Sequence, residues 1–215
     1  MKSKLMKALS TYVLFSAIFF MGIANAGIIA LDSTRFTGNQ DYNASLAMYF
    51  DVLSTINVTH LGAYDSNLDG FQTNTEIEVG IFDLNTGFSV TEIAYFSGNL
   101  DTLIGNSRFL DITDVTLDVG NYAIVARGFN SSDLNGNAGN SGPAPTIDNG
   151  NGLIQFVGGG YYGGSNISDL NLHTDSGPAN RYDAGTFIYT SVPEPSTLAI
   201  FALGMIGLAS RRFKK

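Results

Sequence analysis

The stretch Thr75 to Asp83, TEIEVGIFD, constrains the fold more than any other part of this 215-residue chain. Ile77, Val79 and Ile81 point one way while Glu76, Glu78 and Phe82 point the other, which is the two-residue period of a strand. The other apolar runs share this habit. They are short, none sustains a helical period, and Gly, Asn, Asp and Ser separate them. They are Ser45 to Val52, Ile56 to Tyr64, Val90 to Ser97, Arg108 to Thr113, Asn121 to Phe129, Leu153 to Val157 and Gly185 to Ser191. Within Ile56 to Tyr64 the alternation slips between Val58 and Leu61, which predicts a bulge near Thr59 or His60. Eight such strands with turn-rich links predict an all-β fold, an antiparallel β-sandwich of jelly-roll type, with a barrel as the alternative.

Two stretches break the rhythm. Asn130 to Gly152, NSSDLNGNAGNSGPAPTIDNGNG, offers almost nothing to bury. A connection of that length in a compact domain is functional or disordered, and its polar low-complexity composition favours disorder. Gly158 to Gly164, GGGYYGG, makes a poor strand interior and predicts a kinked loop presenting Tyr161 and Tyr162.

The two ends are addresses. Lys2, Lys4 and Lys7 precede an apolar run from Leu9 to Ile23, and Ala24-Asn25-Ala26 supplies small residues before Gly27. That is the pattern of a secretory signal over residues 1–26, cut by signal peptidase. At the other end Pro193-Glu194-Pro195 stops the preceding structure, since proline removes backbone donors and disfavours helix just before it. An uncharged apolar run follows from Leu198 to Ala209, then Arg211, Arg212, Lys214 and Lys215. Pro195 to Ser210 as a helix spans roughly 24 Å, short of a ~30 Å hydrocarbon core, and the basic flank stays cytoplasmic. The sequence therefore divides into a signal, a sandwich domain over residues 27–190, and a tail over residues 191–215.

The tail resembles the PEP-CTERM sorting signal in its Pro193-Glu194-Pro195 triplet, its short apolar helix and its terminal Arg211-Arg212. The resemblance implies transient insertion in the inner membrane and recognition by exosortase, a membrane-embedded cysteine protease, near the triplet. It also implies a Gram-negative host that makes exopolysaccharide, and a mature protein at the cell surface or in the extracellular matrix. The stretch from Ile56 to Phe129 resembles a second family, the β-sandwich domain of unknown function catalogued as DUF4082. The matching residues are Val58 to Asp65 (VTHLGAYD), Glu78 to Asp83 (EVGIFD) and Gly120-Asn121-Tyr122. That family implies a fold and no activity.

Charge narrows the partners. Between Gly27 and Val192 four arginines face 18 acids, a formal charge of −14 against −8 for the whole chain. Such a surface repels phosphate backbones, so nucleic acid is not the partner, and it attracts cations. There is no cysteine, so no thiolate, no disulfide and no Cys-containing zinc site.

One constellation has the spacing of a cation site. Asp65, Asn67, Asp69, Gly70 and Glu76 fit D-x-[DN]-x-[DN]-G-x5-E, with the carbonyl of Phe71 at the seventh position. Calcium takes six to eight oxygens. Alternate short side chains on a tight loop supply them, and Glu76 closes the shell. The flanks read as strands and Gln72 replaces an apolar residue, so the spacing predicts an isolated calcium loop. The competing reading is an acidic turn, because turns are built from the same residues.

Catalysis finds little support. His60 and His173 are the only imidazoles, and no G-x-S-x-G, H-E-x-x-H or P-loop string occurs. A carbohydrate-active hydrolase needs two facing carboxylates, and eighteen scattered acids always contain pairs. A carbohydrate-binding module would stack Tyr161, Tyr162 or Tyr182 on sugar faces, although the chain has no Trp. The sequence thus predicts a non-catalytic, calcium-stabilised surface protein with a structural or adhesive role in exopolysaccharide.

Overall fold

The computed structural model describes residues 26–192 apart from Thr75, Asp169 and Leu172. The expected signal, residues 1–26, and tail, residues 191–215, lie outside the described residues except for Ala26, Ser191 and Val192. Among those described, no helix is long and apolar enough to cross a membrane.

The strands in chain order are β1 (Ile28–Ile29), β2 (Leu31–Asp32), β3 (Ser45–Val52), β4 (Ile56–Tyr64), β5 (Ile77–Asp83), β6 (Ala94–Phe96), β7 (Thr102–Ile104) and β8 (Ser107–Leu117). They continue with β9 (Gly120–Arg127), β10 (Gly136–Asn137), β11 (Thr146–Ile147), β12 (Ile154–Tyr162), β13 (His173–Asp175), β14 (Tyr182–Asp183) and β15 (Gly185–Ser191). One sheet runs β1-β15-β4-β8-β7 and the other β13-β12-β3-β9-β5-β6, and the ladders within them are antiparallel. Two small ribbons, β10-β14 and β11-β2, close the side. The expected antiparallel sandwich is the fold.

The sheets are joined where two connections run side by side. β3 passes to β4 through Leu53–Thr55 while β8 passes to β9 through Asp118–Val119, with Val52 opposite Gly120 and Ile56 opposite Leu117. The core between the sheets is aromatic. Phe50 of one sheet lies 5.0 Å from Phe187 of the other, and 5.6 and 5.8 Å from Phe156 and Tyr122, ring centre to ring centre. Each such pair adds roughly 0.5–1.5 kcal/mol beyond the area it buries.

β4 bulges where its alternation slips. Its register shifts between Val58 and His60 against β8, which lets Val58 and Leu61 both face the core. Phe82, on the opposite face of β5 from Ile77, Val79 and Ile81, is buried as well. It packs with Ala47, Ala123, Val125 and Ile167 on the outer face of the six-stranded sheet, under the segment after β12. β3, β5 and β9 are therefore covered on both sides, and for that reason β9 reads as a continuous apolar run.

The structure corrects two readings. Gly158 to Tyr162 is strand interior, paired with β3 and β13, with a register shift between Phe156 and Gly158. The glycines make room for rings. A Cβ on Gly160 would collide with the Tyr49 hydroxyl, and one on Gly159 would press on the Tyr182 ring at 3.2 Å. The polar connection 130–152 is packed as well, with Asn135 and Asn137 buried in it. Polar side chains make up much of its interior, Asp133, Asn135 and Asn137, beside a buried Pro145 and an Ile147 packed on the core. Asn135 Nδ2 donates to Gln40 Oε1 (2.9 Å), Asn137 N to Asn39 Oδ1 (2.8 Å), and Tyr42 N to Asn135 Oδ1 (3.2 Å). Buried amides satisfied in this way do not pay the cost of lost hydration unopposed.

Candidate functional site

The motif Asp65 to Glu76 leaves β4 through a 3-10 turn, Ser66–Leu68, in which Asn67 has φ 70°. Asp65 is wholly buried, and its carboxylate already has a cation: Arg108 Nε of β8 donates to Oδ2 at 2.6 Å. Gly70 N donates to both carboxylate oxygens at 3.2 Å. Burial pushes the Asp65 carboxyl above the usual carboxylate range, and Arg108 offsets part of that rise. Arg108 also donates through Nη1 to the carbonyls of Asn99 (2.9 Å) and Asp101 (3.2 Å), so it fastens the turn to the neighbouring loop.

The remaining motif residues go elsewhere. Asn67 Oδ1 accepts from the Thr37 hydroxyl at 2.7 Å, Asp69 and Glu76 are exposed, and Phe71 N donates to the Gly98 carbonyl. Among the described residues no three His, Asp or Glu side chains are gathered as a metal would need. In this conformation the spacing folds as a turn neutralised from inside.

The imidazoles hold peripheral posts. His60, at the bulge, sits 2.6 Å from Asp111 and 2.7 Å from the Thr59 hydroxyl. His173 of β13 is exposed beside Tyr161, with 5.6 Å between ring centres.

The tyrosines fare differently. Tyr161 and Tyr182 line one groove of about 280 Å³ with Gln40, Tyr42, Leu46, Asn137, Asn140, Asp175 and Arg181. β12 supplies Tyr161, the loop before β3 supplies Gln40 and Tyr42, and the connection 130–152 supplies the asparagines. The rim between β13 and β14 supplies Asp175 and Arg181. Tyr161 meets Tyr42 edge to face at 6.2 Å and keeps 39% of its surface exposed. Tyr162 lies outside this lining, 6.5 Å from His173 between ring centres.

The charges in the groove cancel. Arg181 Nε is 3.0 Å from Asp175 Oδ2, Nη1 donates to the Ser176 carbonyl, and the guanidinium lies 5.5 Å from the Tyr182 ring centre. A side chain at Gly139 would collide with that guanidinium, so the glycine lets the asparagine-rich connection close over it. Tyr182 donates its hydroxyl to Asp175, and burial raises its pKa. Gln40, Tyr42, Asn137 and Asn140 carried no sequence signal as a site, because their elements meet only through the fold.

Residues 191–215 match the family described as the PEP-CTERM protein-sorting motif. The chain carries this sorting motif. It is an exported protein addressed to exosortase, as the tail's resemblance implied, and its C-terminal signal directs it to the cell surface. The match does not reach Ile56 to Phe129, so the likeness to DUF4082 stands on its residues alone. No curated protein sequence matches the chain. A solved structure, "Structure of a family 35 carbohydrate binding module from an environmental isolate", is similar over 72% of this chain and 91% of that one. The identity is 13% and the TM-score 0.29, too low for any property to pass from one to the other.

Proposed function

We propose that the body of this PEP-CTERM protein is a non-catalytic adhesive module of the envelope or extracellular matrix that holds exopolysaccharide in the groove around Tyr161. The observation that carries this reading is the lining: a partly exposed tyrosine ring beside a second ring, with amides and hydroxyls around them. Sugars offer an apolar ring face and a rim of hydroxyls, which is what such a lining complements. Asp175 is the one acid in the lining, and it is engaged by Arg181 and the Tyr182 hydroxyl. Two-carboxylate hydrolysis needs a second, facing acid, so the arrangement supports holding a glycan over cutting it.

Calcium enters as a proposal resting on the loop spacing. Asp65 would join a calcium shell by exchanging Arg108 for the metal, with the exposed Asp69 and Glu76 swinging in.

A glycan-array screen of the secreted protein, with and without calcium, tests the function. Retention of at least one polysaccharide family, lost in Tyr161→Ala, is the expected result. No binding by a folded protein, or turnover of the bound polymer, would overturn it.

A further inference from the structure

We infer that the Tyr161 groove selects uncharged glycans and rejects polyuronates and other anionic polymers. This deepens the proposed function and rests on it.

The first ground is the fate of the cations. A carboxylate is held most strongly by an arginine or lysine with free donors, and bidentate pairing with Arg is the strong form. The body has no lysine and four arginines. Three are committed internally: Arg35 to Asp183, Arg108 to Asp65 and Arg181 to Asp175. Arg35 also donates to the carbonyls of Ser141 (2.8 Å) and Pro143 (3.0 Å), and so pins the asparagine-rich connection. Arg127, at the end of β9, stands opposite Glu78 in the sheet and outside the groove lining. Within the groove the one cation, Arg181, is already held against Asp175.

The second ground is the lining. Arg181 is the one cation in the groove, and its partner Asp175 lines it too, so the groove has no net charge. What stays available is neutral, above all the Tyr161 ring and the exposed Asn140. The third ground is the surrounding field. A body of charge −14 repels a polyanion before contact, and the repulsion weakens only as salt screens it. An uncharged glycan meets neither obstacle.

The test uses the secreted protein with two sets of polymers. One set is neutral, with a glucan, a galactan and a mannan. The other is anionic, with polygalacturonate and alginate. Affinity electrophoresis and calorimetry would be run at about 50 and 500 mM NaCl, concentrations that span strong and weak screening. At least one neutral polymer should bind, with its Kd changing less than about twofold between the two salts, and neither polyuronate should bind. Tyr161→Ala should weaken the neutral polymer about tenfold, Tyr161→Phe should retain it, and Asn140→Ala on the exposed rim should weaken it with the melting temperature unchanged.

A polyuronate that binds, weakens with salt and is lost in Tyr161→Ala would overturn the charge inference and leave the groove standing. Binding indifferent to Tyr161 and Asn140 in folded variants, or no binding by either set, would overturn the groove itself.

Discussion

Replacing Arg108 by Met tests how this lysine-free, acidic body is held. Arg108 is 6% exposed, Asp65 is wholly buried, and Nε lies 2.6 Å from Oδ2. Methionine fills much of the same space without a donor. It leaves Asp65 with Gly70 N alone and strips the Asn99 and Asp101 carbonyls of a donor. Breaking a buried pair from one side costs about 3–5 kcal/mol, because an uncompensated charge stays behind. For a domain of this size each kcal/mol moves Tm by about 2–4 °C, so the variant should melt roughly 6–20 °C lower at pH 7. Asp65 can escape part of the cost by taking a proton, so the deficit should shrink at pH 5. The double variant Asp65→Asn/Arg108→Met, with no buried charge, should regain at least half of the loss. Thermal unfolding by circular dichroism at both pH values reads all three proteins. An Arg108→Met variant that melts within about 2 °C of the parent would refute the argument. So would a double variant no better than the single one.

Four further outcomes follow from the same geometry. Burial raises the carboxyls of Asp65, Asp101 and Asp183 in the folded state, so the native protein holds protons that the unfolded chain releases. Stability from these groups is present below the unfolded Asp value of 3.8 and is lost as pH rises through the raised folded values, so their contribution lowers Tm on going upward through that range; an Asp183→Asn variant whose Tm falls with rising pH as steeply as the parent's would contradict this. If Asp65 can exchange Arg108 for calcium, millimolar calcium should raise Tm by a few degrees, more so in Arg108→Met and not in Glu76→Gln; equal melting in calcium and chelator for both parent and Arg108→Met would remove the proposal. Gly160→Ala should cost about 1–3 kcal/mol through collision with Tyr49, whereas Gly163→Ala, which meets nothing, should leave Tm unchanged. Mass spectrometry of the surface protein should find a C-terminus near Pro193 to Pro195; recovery of intact Arg211 to Lys215 would show that the tail is kept.

Much of this protein was written in local signals. Alternation is a property of neighbours along the chain, so Ile77, Val79 and Ile81 announced a strand and its inner face before any partner was known. The slip between Val58 and Leu61 announced the bulge for the same reason. The tail could be read because a sorting signal works as a linear string, recognised before or apart from folding.

What stayed hidden depended on partners distant in sequence. Gly158 to Gly160 look like breakers until Tyr49 and Tyr182 lie across them, and the connection 130–152 looks unburiable until Gln40 and Asn39 meet its amides. The spacing of Asp65 to Glu76 fits calcium in one dimension, yet Arg108, 43 residues from Asp65, supplies the charge in three. The groove itself is a junction of four segments, and no one of them carries it. Local sequence sets backbone preference and which face is apolar. Only the tertiary structure decides which buried charge finds a counter-charge, and which tyrosine is left facing water.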